Sequence, residues 1–174
     1  MRVVAGELGG RRLLSPPRGH EVRPTADKVR EALFSMLGDV ADNTVLDLFC
    51  GTGALGIEAL SRGARSGVFV DSSIGPAQRN IVALGLEDRA QLVRADALAF
   101  LRRAGPSFDL ILCDPPYKLA RRVGPELEQL VPGRLTEGGT VVIESSAQEP
   151  VELSTKPERE RRHGDTLLRI WRPS

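Results

Sequence analysis

Phe108 to Ala120 reads FDLILCDPPYKLA, and its centre is chemically unusual. An apolar run, Leu110 to Cys113, ends in an acid, two residues without a backbone N–H, and a phenol. Such a set suits the exocyclic amine of a nucleobase, whose nitrogen lone pair is delocalised into the ring and nucleophilically poor. The Asp114 carboxylate and the Pro115 carbonyl can accept both amine hydrogens. A more pyramidal nitrogen then aims its lone pair at an electrophile. Pro115 and Pro116 stiffen the loop, and Tyr117 can stack on the base, a contact of about 1–3 kcal/mol. Catalysis would rest on positioning and electrostatics, with no covalent enzyme intermediate. The plainer reading is a Pro-Pro turn carrying a surface Asp. It does not account for the apolar strand before it or the glycine-rich loop elsewhere in the chain.

That second motif is GTGALG, Gly51 to Gly56, with Asp71 20 residues after Gly51. On paper this is the dinucleotide fingerprint. Asp47 decides otherwise. A pyrophosphate at the helix N-terminus wants positive potential, and a carboxylate four residues before Gly51 opposes it. S-adenosylmethionine carries a cationic amino-acid moiety and no phosphate. An Asp beside glycines that admit close backbone approach suits its ammonium. The expected cofactor contacts are Asp47, Phe49, Gly51 and Gly53 at the first strand end, and Asp71 with Ser72 at the ribose. Asp96 with Ala97 would face the adenine, with Leu98 packing on the ring. Each acid also has the simpler role of helix N-cap. An NAD-binding oxidoreductase is the alternative of a different class. Asp47 and the lack of a proton-relay His or Tyr-x-x-x-Lys argue against it. Cys50 and Cys113 lie in unrelated segments without metal-ligand spacing, so no metal site is expected, and Cys50 reads as a packing residue.

The elements that must position these residues alternate along the chain. TADKVREALFSMLG is a helix with Thr25 as N-cap and Gly38 as stop, its apolar face formed by Val29, Leu33, Met36 and Leu37. Strand then alternates with helix through TVLDLFC, ALGIEALSRG, SGVFVD, GPAQRNIVALG, AQLVRAD, ALAFLRRAG, FDLILCD, ARRVGPELEQLV and GGTVVIES. Strands continuously rich in Val, Ile and Leu belong to a sheet covered on both faces. The tail predicts a hairpin around His163-Gly164-Asp165, with Trp171 in the core. The expected fold is α/β and Rossmann-like: a mostly parallel seven-stranded sheet with an antiparallel C-terminal hairpin. Ligands of such sheets lie beyond the carboxyl ends of the strands, where Asp47, Asp71, Asp96 and Asp114 all fall.

The 174 residues suffice for one domain, and no run approaches the roughly 20 apolar residues of a membrane span. The N-terminus does not read as a secretory signal, and two unpaired-looking cysteines fit a reducing, cytoplasmic setting. Net charge is +1, unevenly spread. Residues 1–30 hold seven Lys/Arg against three Asp/Glu, and the rest of the chain is net negative. RVVAGELGGRRLLSPP alternates like a small hairpin around Gly9-Gly10, projecting Arg11 and Arg12 from the main sheet. Residues 1–22 are therefore expected to form a basic RNA-contacting arm, and residues 23–174 the methyltransferase domain. A polyanion with unpaired or extrudable bases is the matching partner.

RVVAGELGGRRL, RPTADKVREALFSML, VLDLFCGTGALGIEALSRGA and DLILCDPPY, in this order over nearly the whole chain, resemble the RsmD family. Its members methylate N2 of a guanine in small-subunit ribosomal RNA. The resemblance implies Asp114 to Tyr117 as catalytic loop and the cofactor contacts named above. It also implies a substrate entrance around Arg23, Thr25 and Arg30. With net charge near zero, ribosomal proteins are expected to form part of the platform for small-subunit RNA, and a monomer is expected. Asp71 stands where relatives often carry Glu, and Cys50 where they often carry Ala. The residues themselves leave the base open: an adenine-N6 methyltransferase would use the same motif.

Overall fold

In this computed structural model, which describes residues 1–15 and 27–173, the alternation seen in the sequence becomes a three-layer sandwich. The elements are α1 (Asp27–Leu37), β1 (Thr44–Leu48), α2 (Ala54–Ser61), β2 (Ser66–Asp71), α3 (Gly75–Leu84) and β3 (Ala90–Arg94). They continue with α4 (Ala97–Arg102), β4 (Phe108–Cys113), α5 (Ala120–Leu130), β5 (Leu135–Ser146), β6 (Arg159–His163) and β7 (Thr166–Trp171). The seven strands form one sheet in the order β3-β2-β1-β4-β5-β7-β6. The first five run parallel, and β7 pairs antiparallel with both β5 and β6. This is the expected Rossmann-like sheet.

Strand residues alternate between two cores, as the pleat requires. Val45, Leu110, Leu112, Val142 and Leu168 face α1, α2 and α3. Leu46, Leu48, Ile111, Cys113, Val141 and Ile143 face α4 and α5. Trp171 closes the second core at 5% exposure. The chain reverses direction across the sheet between β1 and β4, so the loops that follow these two strands lie side by side. Their register is Leu48 opposite Cys113.

One strand departs from its expected limits. β5 begins at Leu135 instead of Gly138, because Phe108 pairs with Leu135 before the register slips to Leu110 opposite Thr140. Gly138, at φ 72°, absorbs the extra residues in a bulge.

The N-terminal arm is hairpin-like around Gly9-Gly10, with Val3 N–H to Arg11 O at 2.9 Å and Gly10 N–H to Val3 O at 2.9 Å. It does not project. Val3 and Leu13 are buried in the α1–α2–α3 core. The buried Glu58 carboxylate accepts the Val4 and Ala5 N–H groups at 2.7 and 3.0 Å. Gly6 lies so close to the Ser61 carbonyl that no side chain would fit. The reason is the arm's own pattern: with Val3 and Leu13 apolar, it gains more by burying them than by standing free in water.

Candidate active site

The site is built outward from β1. Asp47 falls on the pleat position that faces α2 and is 1% exposed. Its Oδ2 accepts the Gly56 N–H at 2.9 Å, and Oδ1 is buried with no hydrogen-bond partner among the described residues. Burial pushes its carboxyl up to about 7; the Gly56 hydrogen bond opposes this and the Asp71 charge adds to it. Gly56 must be glycine, since a Cβ there would lie 2.8 Å from Phe69 Cζ and 2.9 Å from Asp47 Oδ2.

The loop between β1 and α2 is backbone held in an uncommon form. Phe49, Gly51 and Gly53 have φ of 57°, 53° and 78°. For Phe49 this left-handed conformation costs about 1–3 kcal/mol. It is held by Cys50 N–H to Val70 O at 3.1 Å and Gly53 N–H to Cys50 O at 2.7 Å. Asp71, ending β2, accepts the Gly51 N–H through Oδ2 at 2.9 Å and the Ser73 N–H through Oδ1 at 2.9 Å. The loops after β1 and β2 are thus tied together by one carboxylate. Ser72 is exposed beside it.

Asp96 is exposed and caps α4, accepting the Ala99 N–H at 2.8 Å. Ala97 and Leu98 do not face outward as a ring-packing pair. At 2% and 4% exposure their side chains belong to the α4–α5 core.

The second loop follows β4. Asp114 N–H reaches Leu48 O at 3.5 Å, extending the β1–β4 ladder by one residue. Asp114 is half-buried, Pro115 buried, Pro116 exposed, and Tyr117 is 42% exposed. Tyr117 opens a 3-10 turn, Tyr117–Leu119, closed by Leu119 N–H to Pro116 O at 2.8 Å. The glycine loop and the Asp-Pro-Pro-Tyr loop therefore share the switch point of the sheet, where ligands of such folds bind. Burial raises both thiols, with Asp47 adding to each, so Cys50 and Cys113 stay protonated packing residues.

The basic residues divide differently from expectation. Arg30 is a correction: it is 0% exposed, its guanidinium bonded to Asp27 Oδ1 at 2.8 Å and to the Arg2 carbonyl. It braces the arm from inside and offers nothing to a phosphate. Its position on the buried face of α1, next to Val29 and Leu33, was the available signal. Arg11 and Arg12 are exposed. The turn between the arm's two halves, however, rests on Ser61 at the C-terminal end of α2, away from the loops just described. Arg23 and Thr25 lie outside the described residues. The sequence reading also passed over Glu58 and Asn80. Asn80 binds Leu14 N–H at 2.7 Å and Thr52 O at 2.9 Å, joining the arm to the glycine loop. It passed over Glu144 and Ser145 as well, buried polar residues at the carboxyl end of β5, with no hydrogen-bond partner for Ser145 Oγ among the described residues.

Comparison with known proteins agrees with this fold. Residues 1–172 match the family described as Conserved hypothetical protein 95. A putative rRNA methyltransferase YlbH of Bacillus subtilis is 44% identical over 125 residues, 68% of this chain and 67% of that protein. Ribosomal RNA small subunit methyltransferase D of Escherichia coli is 36% identical over 121 residues, 68% of this chain and 61% of that protein. The alignments thus span about two thirds of these relatives' length. Among solved structures, the putative methyltransferase yhhF of Escherichia coli superposes with a TM-score of 0.81 at 31% identity, covering 99% of this chain and 97% of that one.

Proposed function

The chain belongs to the RsmD family, and from that premise we propose that it transfers a methyl group from S-adenosylmethionine to the exocyclic N2 amine of a guanine in small-subunit (16S) ribosomal RNA. The observation that carries this reading is Asp47 Oδ1, a buried carboxylate oxygen beside a glycine loop, without a partner among the described residues. A buried polar atom left unpaired is costly, and a ligand donor that meets it recovers that cost. The donor it suits is a cation, since burial and the neighbouring Asp71 charge already hold the Asp47 carboxyl above its ordinary range. The pyrophosphate of a dinucleotide would be repelled there.

The residues fit the cofactor. Asp47 would hold the ammonium, and the left-handed Phe49, Gly51 and Gly53 would bring backbone against the amino-acid portion. Asp71 and Ser72 would face the ribose. Asp71 already accepts two N–H groups, one on each oxygen, so it receives the hydroxyls on its remaining lone pairs. Asp96 would use the oxygen not engaged by Ala99 to face the adenine. When bound, the cofactor supplies an electrophilic methyl group on a sulfonium. Everything else falls to the chain. Asp114 and the Pro115 carbonyl accept the amine hydrogens and fix the nitrogen's direction. The two prolines hold that geometry without competing donors, and the half-exposed Tyr117 stacks on a base extruded into the pocket. Arg11 and Arg12 add contacts along the arm, with Arg23 and Thr25 at the entrance. Ribosomal proteins complete the platform for a monomer whose net charge is only +1.

The test is methyl transfer from tritiated S-adenosylmethionine to small subunits lacking their native methylation, followed by nucleoside analysis. Labelled N2-methylguanosine is expected. Label in N6-methyladenosine would overturn the base assignment and keep the chemistry. Asp114→Ala should abolish transfer while holding cofactor affinity within a few fold; a parallel loss of binding would move Asp114 into the cofactor site.

A further inference from the structure

The edge strand β6, Arg159-Glu160-Arg161-Arg162-His163, lies outside everything assigned so far, and four of its five residues are exposed. Its partners are unevenly distributed. Arg159 is committed to the Met36 carbonyl at 2.6 Å, Glu160 to Arg169 at 2.6 Å, and Arg162 Nε to Gly164 O at 2.8 Å. The Arg161 side chain has no hydrogen bond or ion pair among the described residues. The register places it with care. Arg161 stands opposite Leu168, and Leu168 opposite Glu144. One residue before Glu144, Ile143 stands opposite Cys113, the residue before Asp114. Arg161, Leu168, Glu144 and Asp114 therefore form one row across four neighbouring strands, on the face of the sheet that carries Asp47. Three strand spacings of about 4.8 Å put Arg161 about 14 Å from Asp114 along that row. The β6 chain also runs parallel to β5, so Arg161 and Arg162 approach the same carboxyl edge as the site, Arg161 on the Asp47 face and Arg162, opposite Leu167, on the other.

We propose that the exposed edge of β6 is a docking surface for the RNA backbone flanking the target base, with Arg161 and Arg162 holding phosphates. The inference rests on the reading of the chain as an RNA methyltransferase and adds a surface on the site's own edge of the sheet, since the arm's turn faces the other end of the molecule. Charge selects the occupant. An edge strand offers unpaired backbone groups to any passing strand. With Glu160 engaged by Arg169, the uncompensated charge of this edge is that of Arg161 and Arg162, which disfavours a second copy and favours a polyanion. Phosphates are bound through such guanidinium forks, and a surface a few nucleotides from the base fixes register without reading sequence.

The competing role of these arginines is to keep edges apart, and charge reversal separates the two, since Glu blocks edge pairing as well as Arg does. The probe is an in vitro transcript of small-subunit ribosomal RNA, its binding by the full chain followed against salt. Each phosphate contact to a single strand contributes a slope of about 0.7 in log affinity against log salt, which is about fourfold at ~0.15 M relative to ~1 M. Arg161→Glu with Arg162→Glu should weaken binding at least about 15-fold and lower the slope by about 1.4. Arg161→Lys with Arg162→Lys should retain most of both, and cofactor affinity should stay native in each variant, which reports folding at the site. Unchanged affinity and slope in the Glu variant would overturn the proposal. So would self-association of an Arg161→Gln, Arg162→Gln variant that still binds RNA normally. A native chain that binds no ribosomal RNA would sink both the docking surface and the methyltransferase reading; one that binds it but methylates another base would leave the surface standing.

Discussion

Replacing Asp47 by Asn should make the protein more stable and a worse cofactor binder at the same time. The carboxyl rises from 3.8 to about 7 in the folded chain. Because the folded value is the higher one, the native state holds the proton more tightly between about pH 4 and pH 7, so Asp47's contribution to stability falls as pH rises through that window. Above pH 7 the charge is present and uncompensated. The difference of about three units corresponds to about 4 kcal/mol. Asn keeps the acceptor for Gly56 and removes the charge, but its amide leaves a donor unpaired at the position of Oδ1, costing about 1–3 kcal/mol. The expected net gain without cofactor at pH 8 is therefore about 1–3 kcal/mol. Losing a charge-assisted hydrogen bond to the ammonium costs about 1.5–3 kcal/mol, or roughly 10- to 150-fold in affinity for S-adenosylmethionine. Native affinity should also fall about tenfold between pH 8 and pH 6, as protonation of Asp47 competes with the ligand cation, and the Asn variant should lose this dependence. Thermal unfolding without cofactor, and titration calorimetry at both pH values, measure all of this. A variant that is destabilised alone, or that binds as tightly as the native chain at pH 8, would refute the assignment of Asp47.

Three further substitutions follow from the packing. Gly56→Ala forces a methyl group into Phe69 and Asp47; urea unfolding should show a loss of about 1–3 kcal/mol, with weaker cofactor binding. Glu58→Ala leaves the Val4 and Ala5 N–H groups and the Arg62 guanidinium without their acceptor. A loss of about 3–5 kcal/mol and faster proteolysis of the arm are expected, and a loss under about 1 kcal/mol would mean the arm is not anchored there. Tyr117→Ala should raise the KM for RNA by the roughly 1–3 kcal/mol of a stacked base while Tyr117→Phe stays within about twofold; equal losses in both variants would assign the hydroxyl, not the ring.

The sequence by itself determined the sheet, its order of elements and the four acids at its ligand edge, because these rest on local signals. Apolar runs between glycine and proline punctuation define buried strands, and an acid or glycine at a strand's end is visible in one dimension. SGVFVD was legible to the residue, since Ser66 and Asp71 bracket a purely apolar pleat. Tertiary structure decided what the side chains at those positions are committed to. Arg30 and Arg11 are the same residue type in the same basic stretch, yet packing buries one among Asp27 and Glu58 and leaves the other in solvent. Asp47 and Asp96 both lie near a strand's carboxyl end, but only the pleat phase and the closeness of α2 leave one of them with a buried oxygen unpartnered among the described residues while the other caps a helix. The row from Asp114 to Arg161 joins residues 47 positions apart through three strand pairings. Register of that kind depends on the β5 bulge and the antiparallel tail together, and no window of sequence contains it.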